Sequence, residues 1–399
     1  MLNNLKDFLK IFRPKTFKKI TLYLFHLSKR EFYFIKKKKF REGYNYFWAR
    51  IFSIEEGLGL ATPFYRLNPD FAPYPERIEL EVTTKCRFRC PKCEHTYWNE
   101  PQENLSFENF KKIIDQFPTL KSVSLTGIGH GFENPEYFKM LEYAKSKGLF
   151  VQFFDPLFLQ SEEDFRKLIE IGVNWIWMSF DGATKETLEK SQVGSNFDKV
   201  TNNVKTLVRL KNEMNSPFPE LHFQPIITKY NVQEMPKFVE LINSLIAGTN
   251  QSLTEIQFIK LIPFKENEWL VPEITDDILE KTQKEIRESK NLIGNFVRIF
   301  PQVSKAPISD CVAWTVPFIT VDGTVYPCCS LTEGNIRQLV KPHTLGNVLK
   351  EDFGEIWHSA KFKNFRNMIH AGKGPWLCCG PRECSLYGCK PGRCKKHNK

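Results

Sequence analysis

Ile78-Glu79-Leu80-Glu81-Val82-Thr83-Thr84-Lys85-Cys86-Arg87-Phe88-Arg89-Cys90-Pro91-Lys92-Cys93 is an alternating strand-like run that breaks into three closely spaced cysteines. Thiolates are soft ligands suited to zinc or to iron–sulfur clusters, and gaps of three and two residues let one loop wrap one metal centre. A structural zinc site closes with a fourth protein ligand, whereas a cluster held by three cysteines keeps one iron open to an outside ligand.

Downstream of this loop, apolar runs alternate with helical patterns. Strands are expected at Ile78–Val82, Ser122–Leu125, Phe150–Phe154, Trp175–Phe180, Leu221–Ile227 and Glu255–Ile262. Between them, Phe107–Phe117, Pro135–Ser146, Glu162–Ile171, Phe197–Lys211 and Val232–Ile246 carry apolar residues at helical spacing. Six strands alternating with helices imply βαβ units and a parallel sheet, which fits a partial barrel or an open doubly wound sheet. In both, ligands bind at the carboxyl ends of the strands, where Cys86 follows the first one.

Of eleven cysteines in 399 residues, none lies between Cys93 and Cys311. The other eight are Cys311, Cys328, Cys329, Cys378, Cys379, Cys384, Cys389 and Cys394. An odd number in two tight groups reads as metal ligation in a reducing compartment rather than as a disulfide framework. Asp322-Gly323 marks a hairpin turn within the tail. The division expected is an N-terminal extension at 1–74, an α/β unit at 75–263, a helical connector at 264–310 and a cysteine-rich domain at 311–399.

The Cys86-x3-Cys90-x2-Cys93 loop after a first strand resembles the radical S-adenosylmethionine (SAM) superfamily. That resemblance implies a partial (β/α)6 barrel, a [4Fe–4S] cluster on these three cysteines, and SAM bound to the open iron. SAM is then cleaved to a 5′-deoxyadenosyl radical that abstracts hydrogen from substrate. Leu125-Thr126-Gly127-Ile128-Gly129 is similar to the glycine-rich segment near the methionine part of SAM, and His130 stands where an acid is usual. Gly127, Gly129 and His130 are therefore expected to face SAM, the neutral His130 ring accepting one hydrogen bond from its amine. Ser179-Phe180-Asp181-Gly182 and the segment reaching Gly194 resemble the fourth-strand motif. Ser179, Asp181 and Gln192 join the expected SAM contacts, with Gln192 in place of a common arginine. Asp155-Pro156-Leu157 replaces a Thr-Asn-Gly-like turn, and Lys92 an aromatic or aliphatic residue.

The tail is similar to the SPASM or twitch extension of that superfamily. Cys311, Gly323-x4-Cys328, Leu345-Gly346-Asn347 and Glu355-Ile356-Trp357 carry the likeness. It implies one or two auxiliary [4Fe–4S] clusters on the eight tail cysteines. A zinc ribbon of Cys379, Cys384, Cys389 and Cys394 is the plainer alternative. The function implied is oxidation, cross-linking or isomerisation of a peptide or a small polar molecule such as a sugar, with flavodoxin or ferredoxin as electron donor. Altered SAM chemistry, or a non-catalytic electron-transfer protein, are the competing readings.

Residues 1–50 hold the whole net charge of +11, together with 13 aromatic residues. The longest apolar stretch there, Ile20–Leu27, contains His26 and falls short of a membrane span. No small-residue cleavage site follows, so a signal peptide is not expected and the protein reads as cytoplasmic. Basic charge interleaved with aromatics suits an anionic membrane surface, with nucleic acid less favoured, or a helical extension packed on the main domain.

Overall fold

The computed structural model describes residues 14–53, 72–159, 161–247, 254–288, 296–299, 308–381 and 384. Helices α1 (Pro14–Lys36) and α2 (Phe40–Ile51) precede the first strand. Strands β1 (Arg77–Leu80), β2 (Ser122–Leu125), β3 (Phe150–Asp155), β4 (Trp175–Met178) and β5 (Glu220–Phe223) pair in sequence, all parallel. The expected strand over Leu221–Ile227 is split at Gln224-Pro225, because proline cannot donate to a ladder. Its second part is β6 (Ile226–Ile227), and β7 (Glu255–Lys260) pairs with both β5 and β6. Within the expected helical connector, β8 (Phe296–Ile299) adds parallel to β7. The sheet also grows at its other edge: β9 (Phe318–Ile319) pairs parallel with β1, followed by β10 (Thr324–Tyr326) and β11 (Gly346–Asn347).

The helices between strands start where short polar side chains satisfy free backbone N–H groups. Ser106, Thr184 and Asn196 cap Phe107–Asp115, Lys185–Ser191 and Phe197–Glu213. Ser161 and Asp164 form a reciprocal capping box on Glu162–Ile171, which ends at Gly172 with φ 76°.

Strand alternation sorts the sheet into two unlike faces. Ile78, Leu80, Val123, Leu125, Val151, Phe153, Ile176, Met178, Leu221, Phe223, Ile256 and Phe258 point toward the surrounding helices and join the main core. The inner face holds Glu79, Ser124, Gln152, Trp175, Trp177, Glu220 and His222, all buried.

What buries the lower part of this inner face is the α1–α2 hairpin. Tyr23, Leu27, Phe34, Tyr46, Trp48, Ala49 and Ile51 form a second core with Phe150, Trp175, Trp177 and Phe218. The contacts lie at the amino ends of the strands, where Asn45 donates to the Gly148 carbonyl at 2.8 Å. Arg30 reaches Glu220 at 2.7 Å, Trp175 Nε1 donates to the same carboxylate at 2.9 Å, and Arg50 lies 4.5 Å from the Trp175 ring centre. Burial depresses His222 to about 4, so the ring beside this network is neutral at physiological pH. The basic extension is thus in part structural: its inner stripe plugs the barrel.

Glu220 is fully buried, so removing its partner strands a charge in the core. Arg30→Ala should cost about 3–5 kcal/mol in urea unfolding of the full-length protein. Pairing it with Glu220→Gln should recover much of that loss. A single-variant cost under about 1 kcal/mol would mean that the pair behaves like a solvated surface bridge.

Candidate functional site

The three-cysteine loop leaves β1 through Thr83 and Thr84, both buried; Thr83 Oγ1 donates to Asn104 Oδ1 at 2.6 Å and Thr84 N to the Glu103 carbonyl at 2.9 Å. The Cys90 carbonyl accepts from Cys93 N at 2.9 Å and from Thr96 Oγ1 at 2.7 Å, which turns the loop back on itself. Arg89 donates to the Cys86 carbonyl at 2.7 Å. Burial pushes the Cys86 thiol up to about 11 and raises Cys90 and Cys93 as well, and the three groups lie close enough to disfavour one another's ionisation. Such thiols stay protonated until a cation replaces the protons, as metal ligation requires.

Lys92 is buried between these thiols and Asp181. Its Nζ lies 2.5 Å from Asp181 Oδ2, while Ile226 N donates to Oδ1 at 2.7 Å. Both carboxylate oxygens are thereby engaged by the chain. The unusual Lys92 and Asp181 form one charge pair.

Gly127 and Gly129 sit where two segments approach closely. A Cβ on Gly127, which has φ +154°, would sit 2.5 Å from Glu81 Cγ, and one on Gly129 would run into the Thr83 carbonyl oxygen. These glycines let the loop after β2 lie flat on the exit of β1. His130 N then donates to the Lys85 carbonyl at 2.7 Å.

The His130 ring turns inward rather than toward a ligand. It is buried, with Nε2 2.8 Å from Asp155 Oδ2, Nδ1 3.4 Å from Glu133 Oε1, and its edge against Phe88. Burial alone would lower its pKa, but the Asp155 and Glu133 carboxylates outweigh this and raise it. Glu133 is in turn paired with Arg87 on the cysteine loop. The ring thus faces Asp155 and Glu133, whose carboxylates favour its protonated form over the neutral acceptor expected from the sequence. The two departures, His130 and Asp155, lie in contact with one another.

Gln192 and Ser179 meet as backbone and side chain. Gln192 Nε2 donates to the Ser179 carbonyl at 2.7 Å, which fixes its Oε1 on the other side. That oxygen is buried without a hydrogen-bond partner among the described residues, as are Ser191 Oγ and Ser195 Oγ. The segment lies against the cysteine loop, with Arg89 N donating to the Val193 carbonyl at 2.9 Å. Three unsatisfied polar atoms beside the thiols are what a polar, amine-bearing ligand such as SAM would satisfy. By this measure the residues of this segment fit the cofactor.

In the tail, burial and mutual proximity raise the Cys328 and Cys378 thiols, each influenced by Cys311 and Cys384. Ser330 Oγ lies 3.9 Å from Cys384 Sγ. Three separate chain segments thus bring four thiols within electrostatic range of one another, and four thiols are the donor number that a fully ligated cluster takes. Cys384 belongs to this group, although the plainer zinc reading assigned it elsewhere. Cys329 opens the turn Cys329–Thr332. Cys389, Cys394 and the Cys379 side chain lie outside the described residues.

One pair that the sequence reading missed ties the two cysteine groups together. Glu81, fully buried, receives Arg337 Nη1 at 3.0 Å and Nη2 at 2.5 Å, and also accepts from Ile128 N and Val321 N. The only sequence signal was a charged residue at an inward strand position. Beside it lies a cleft of about 150 Å³ lined by Trp98, Glu100, Glu103, Asp322, Tyr326 and Lys341.

Known proteins agree with this architecture. The radical SAM superfamily profile matches residues 80–242, and that of SPASM, an iron–sulfur cluster-binding domain, residues 311–385. The chain is 24% identical over 309 residues to the tungsten-containing aldehyde ferredoxin oxidoreductase cofactor-modifying protein of Pyrococcus furiosus, covering 72% of this chain and 82% of that one. It is also 24% identical over 343 residues to the AdoMet-dependent heme synthase of Methanosarcina barkeri, covering 79% and 91%. Among solved structures, Streptococcus suis SuiB bound to S-adenosylmethionine superposes with a TM-score of 0.61 at 11% identity, covering 91% of this chain and 88% of that one. With a three-cysteine loop at the carboxyl end of β1 and a second thiol group joined to it through Glu81 and Arg337, the chain belongs to the radical SAM superfamily and carries a SPASM domain.

Proposed function

We propose that the protein abstracts hydrogen from a peptide or a small polar molecule and so oxidises, cross-links or isomerises it. The observation that carries this reading is the loop of three thiols and no fourth, set beside the unsatisfied polar atoms of Ser191, Gln192 and Ser195. When bound, the [4Fe–4S] cluster and SAM supply one-electron cleavage of SAM and a carbon radical. The chain's own part is to hold and shield: Cys86, Cys90 and Cys93 ligate, Gln192 accepts from the SAM amine, and Phe88 with the His130–Asp155 pair stiffens the loop beneath. Arg87 and Arg89 are exposed on the cysteine loop, where an acidic electron donor such as flavodoxin or ferredoxin would approach. Cys311, Cys328, Cys378 and Cys384 hold an auxiliary cluster. The cleft beside Arg337 admits part of a substrate between the two groups. A peptide substrate is in keeping with SuiB, whose structure is also known bound to the precursor peptide SuiA.

Two thiol sets predict about 8 iron per chain after anaerobic reconstitution, as two four-iron clusters. Replacing Cys86, Cys90 and Cys93 by Ala should remove about half of that iron and abolish 5′-deoxyadenosine release from SAM. Replacing Cys328 and Cys378 should remove the other half. A wild-type protein with its full iron that releases no 5′-deoxyadenosine under reduction would favour non-radical chemistry or an electron-transfer role.

His130 should titrate above the unperturbed value of about 6.5 in an NMR titration of its ring, and Asp155→Asn should bring it down. Because the folded-state value is raised, the ion pair's contribution to stability is complete below about 6.5 and is lost as pH climbs through the folded value. A wild-type ring titrating at or below the unperturbed value would show that the carboxylates do not hold its charge.

A further inference from the structure

The α1–α2 hairpin has a second face that the barrel does not use. On α1, Phe25, Phe32 and Ile35 are 52%, 67% and 57% exposed, at helical spacings of seven and three residues. They run along the side away from the buried Tyr23, Leu27 and Phe34. On α2, Phe40, Tyr44 and Phe47 repeat the pattern at spacings of four and three residues. Among the described residues, eight of the thirteen large exposed hydrophobics fall between Leu24 and Phe52. Lys29, Lys36, Lys37, Lys38 and Arg41 are exposed among them.

We infer that this outer face seats the protein on an anionic lipid surface, with the barrel mouth turned toward water. Isolated surface hydrophobics are ordinary, but a concentration of them in two helices already buried on the opposite side is not. Apolar residues alternating with lysines along helix axes match a helix lying in a bilayer interface, apolar groups in the acyl boundary and ammonium groups among anionic headgroups. The charge is also one-sided: residues 1–50 carry +11 and the remaining 349 balance to zero. Phe, Ile and Leu on convex helix faces suit the acyl boundary better than base edges, which call for hydrogen-bonding side chains. Among the described residues, no helix is long and apolar enough to cross a membrane, so the association is peripheral.

The orientation follows from the inner face. The hairpin packs on the first residues of β3, β4 and β5, which are Phe150, Trp175 and Glu220. Cys86, by contrast, follows the carboxyl end of β1. A bilayer under the hairpin therefore lies at the opposite end of the barrel from the thiols, and both substrate and electron donor come from the aqueous side.

The test uses the full-length, reconstituted protein in flotation with phosphatidylcholine vesicles, with and without phosphatidylglycerol. Binding should require phosphatidylglycerol and weaken as salt shortens the range of the charges. Lys36→Gln with Lys38→Gln should weaken it roughly 10- to 30-fold at low salt. Phe32→Ser with Phe40→Ser should weaken it at low and high salt alike. Both variants should keep wild-type melting temperature and 5′-deoxyadenosine release. The inference is overturned by equal binding to neutral vesicles, by variants that bind like wild type, or by displacement from vesicles with single-stranded RNA. A marked fall in melting temperature for the Phe variant would overturn it too, since those rings would then be covered within the fold.

Discussion

The buried carboxylate of Glu81 is the point on which the two cluster sites depend. It sits at the end of β1, one turn of chain before Cys86, and accepts two hydrogen bonds from Arg337 and one each from the amides of Ile128 and Val321. Those four donors come from the loop after β2, the end of β9 and the tail. A charge buried this deeply is tolerated only with its hydrogen-bonding capacity filled. The same residue therefore fixes the start of the cysteine loop and the placement of the tail. Gly127 is tied to this arrangement as well, since any side chain there would displace the Glu81 side chain.

Residues that depart from what the superfamily resemblance suggested are each held by a carboxylate partner. Lys92 pairs with Asp181 of the matching fourth-strand motif, and His130 meets Asp155 at the ends of β2 and β3. Read singly, His130 looks like a weakened SAM contact. Read with Asp155, it is one side of a buried contact between the ends of β2 and β3.

Much of the barrel was legible because alternation and helical periodicity report burial directly. The expected strands lie where the apolar runs placed them, one of them split at Gln224-Pro225, and Cys86, Cys90 and Cys93 are on one loop as their spacing implied. Less legible were contacts between distant segments. Nothing local in Arg30 or Tyr46 announces Glu220 as a partner, and the abundance of charge in the first 50 residues masked the stripe of Tyr23, Leu27 and Phe34 that plugs the barrel. β8 was hidden because it lies in a stretch whose strongest pattern is the helix Asp276–Glu288. Glu81 and Arg337 are separated by 256 positions, and no pattern within one strand or helix encodes such a pairing.

The pairing of β9 with β1 bears on how the chain is made. β1 precedes the other described strands in the chain, yet one of its two edges finds its partner only at Phe318 and Ile319. Until then that edge offers free N–H and C=O groups beside a hydrophobic strand, a template for wrong pairing between nascent chains. The fully buried Glu81 likewise waits for Arg337 before its charge is matched. Synthesis of this protein thus contains an interval in which the barrel is nearly complete and its first edge is unsealed.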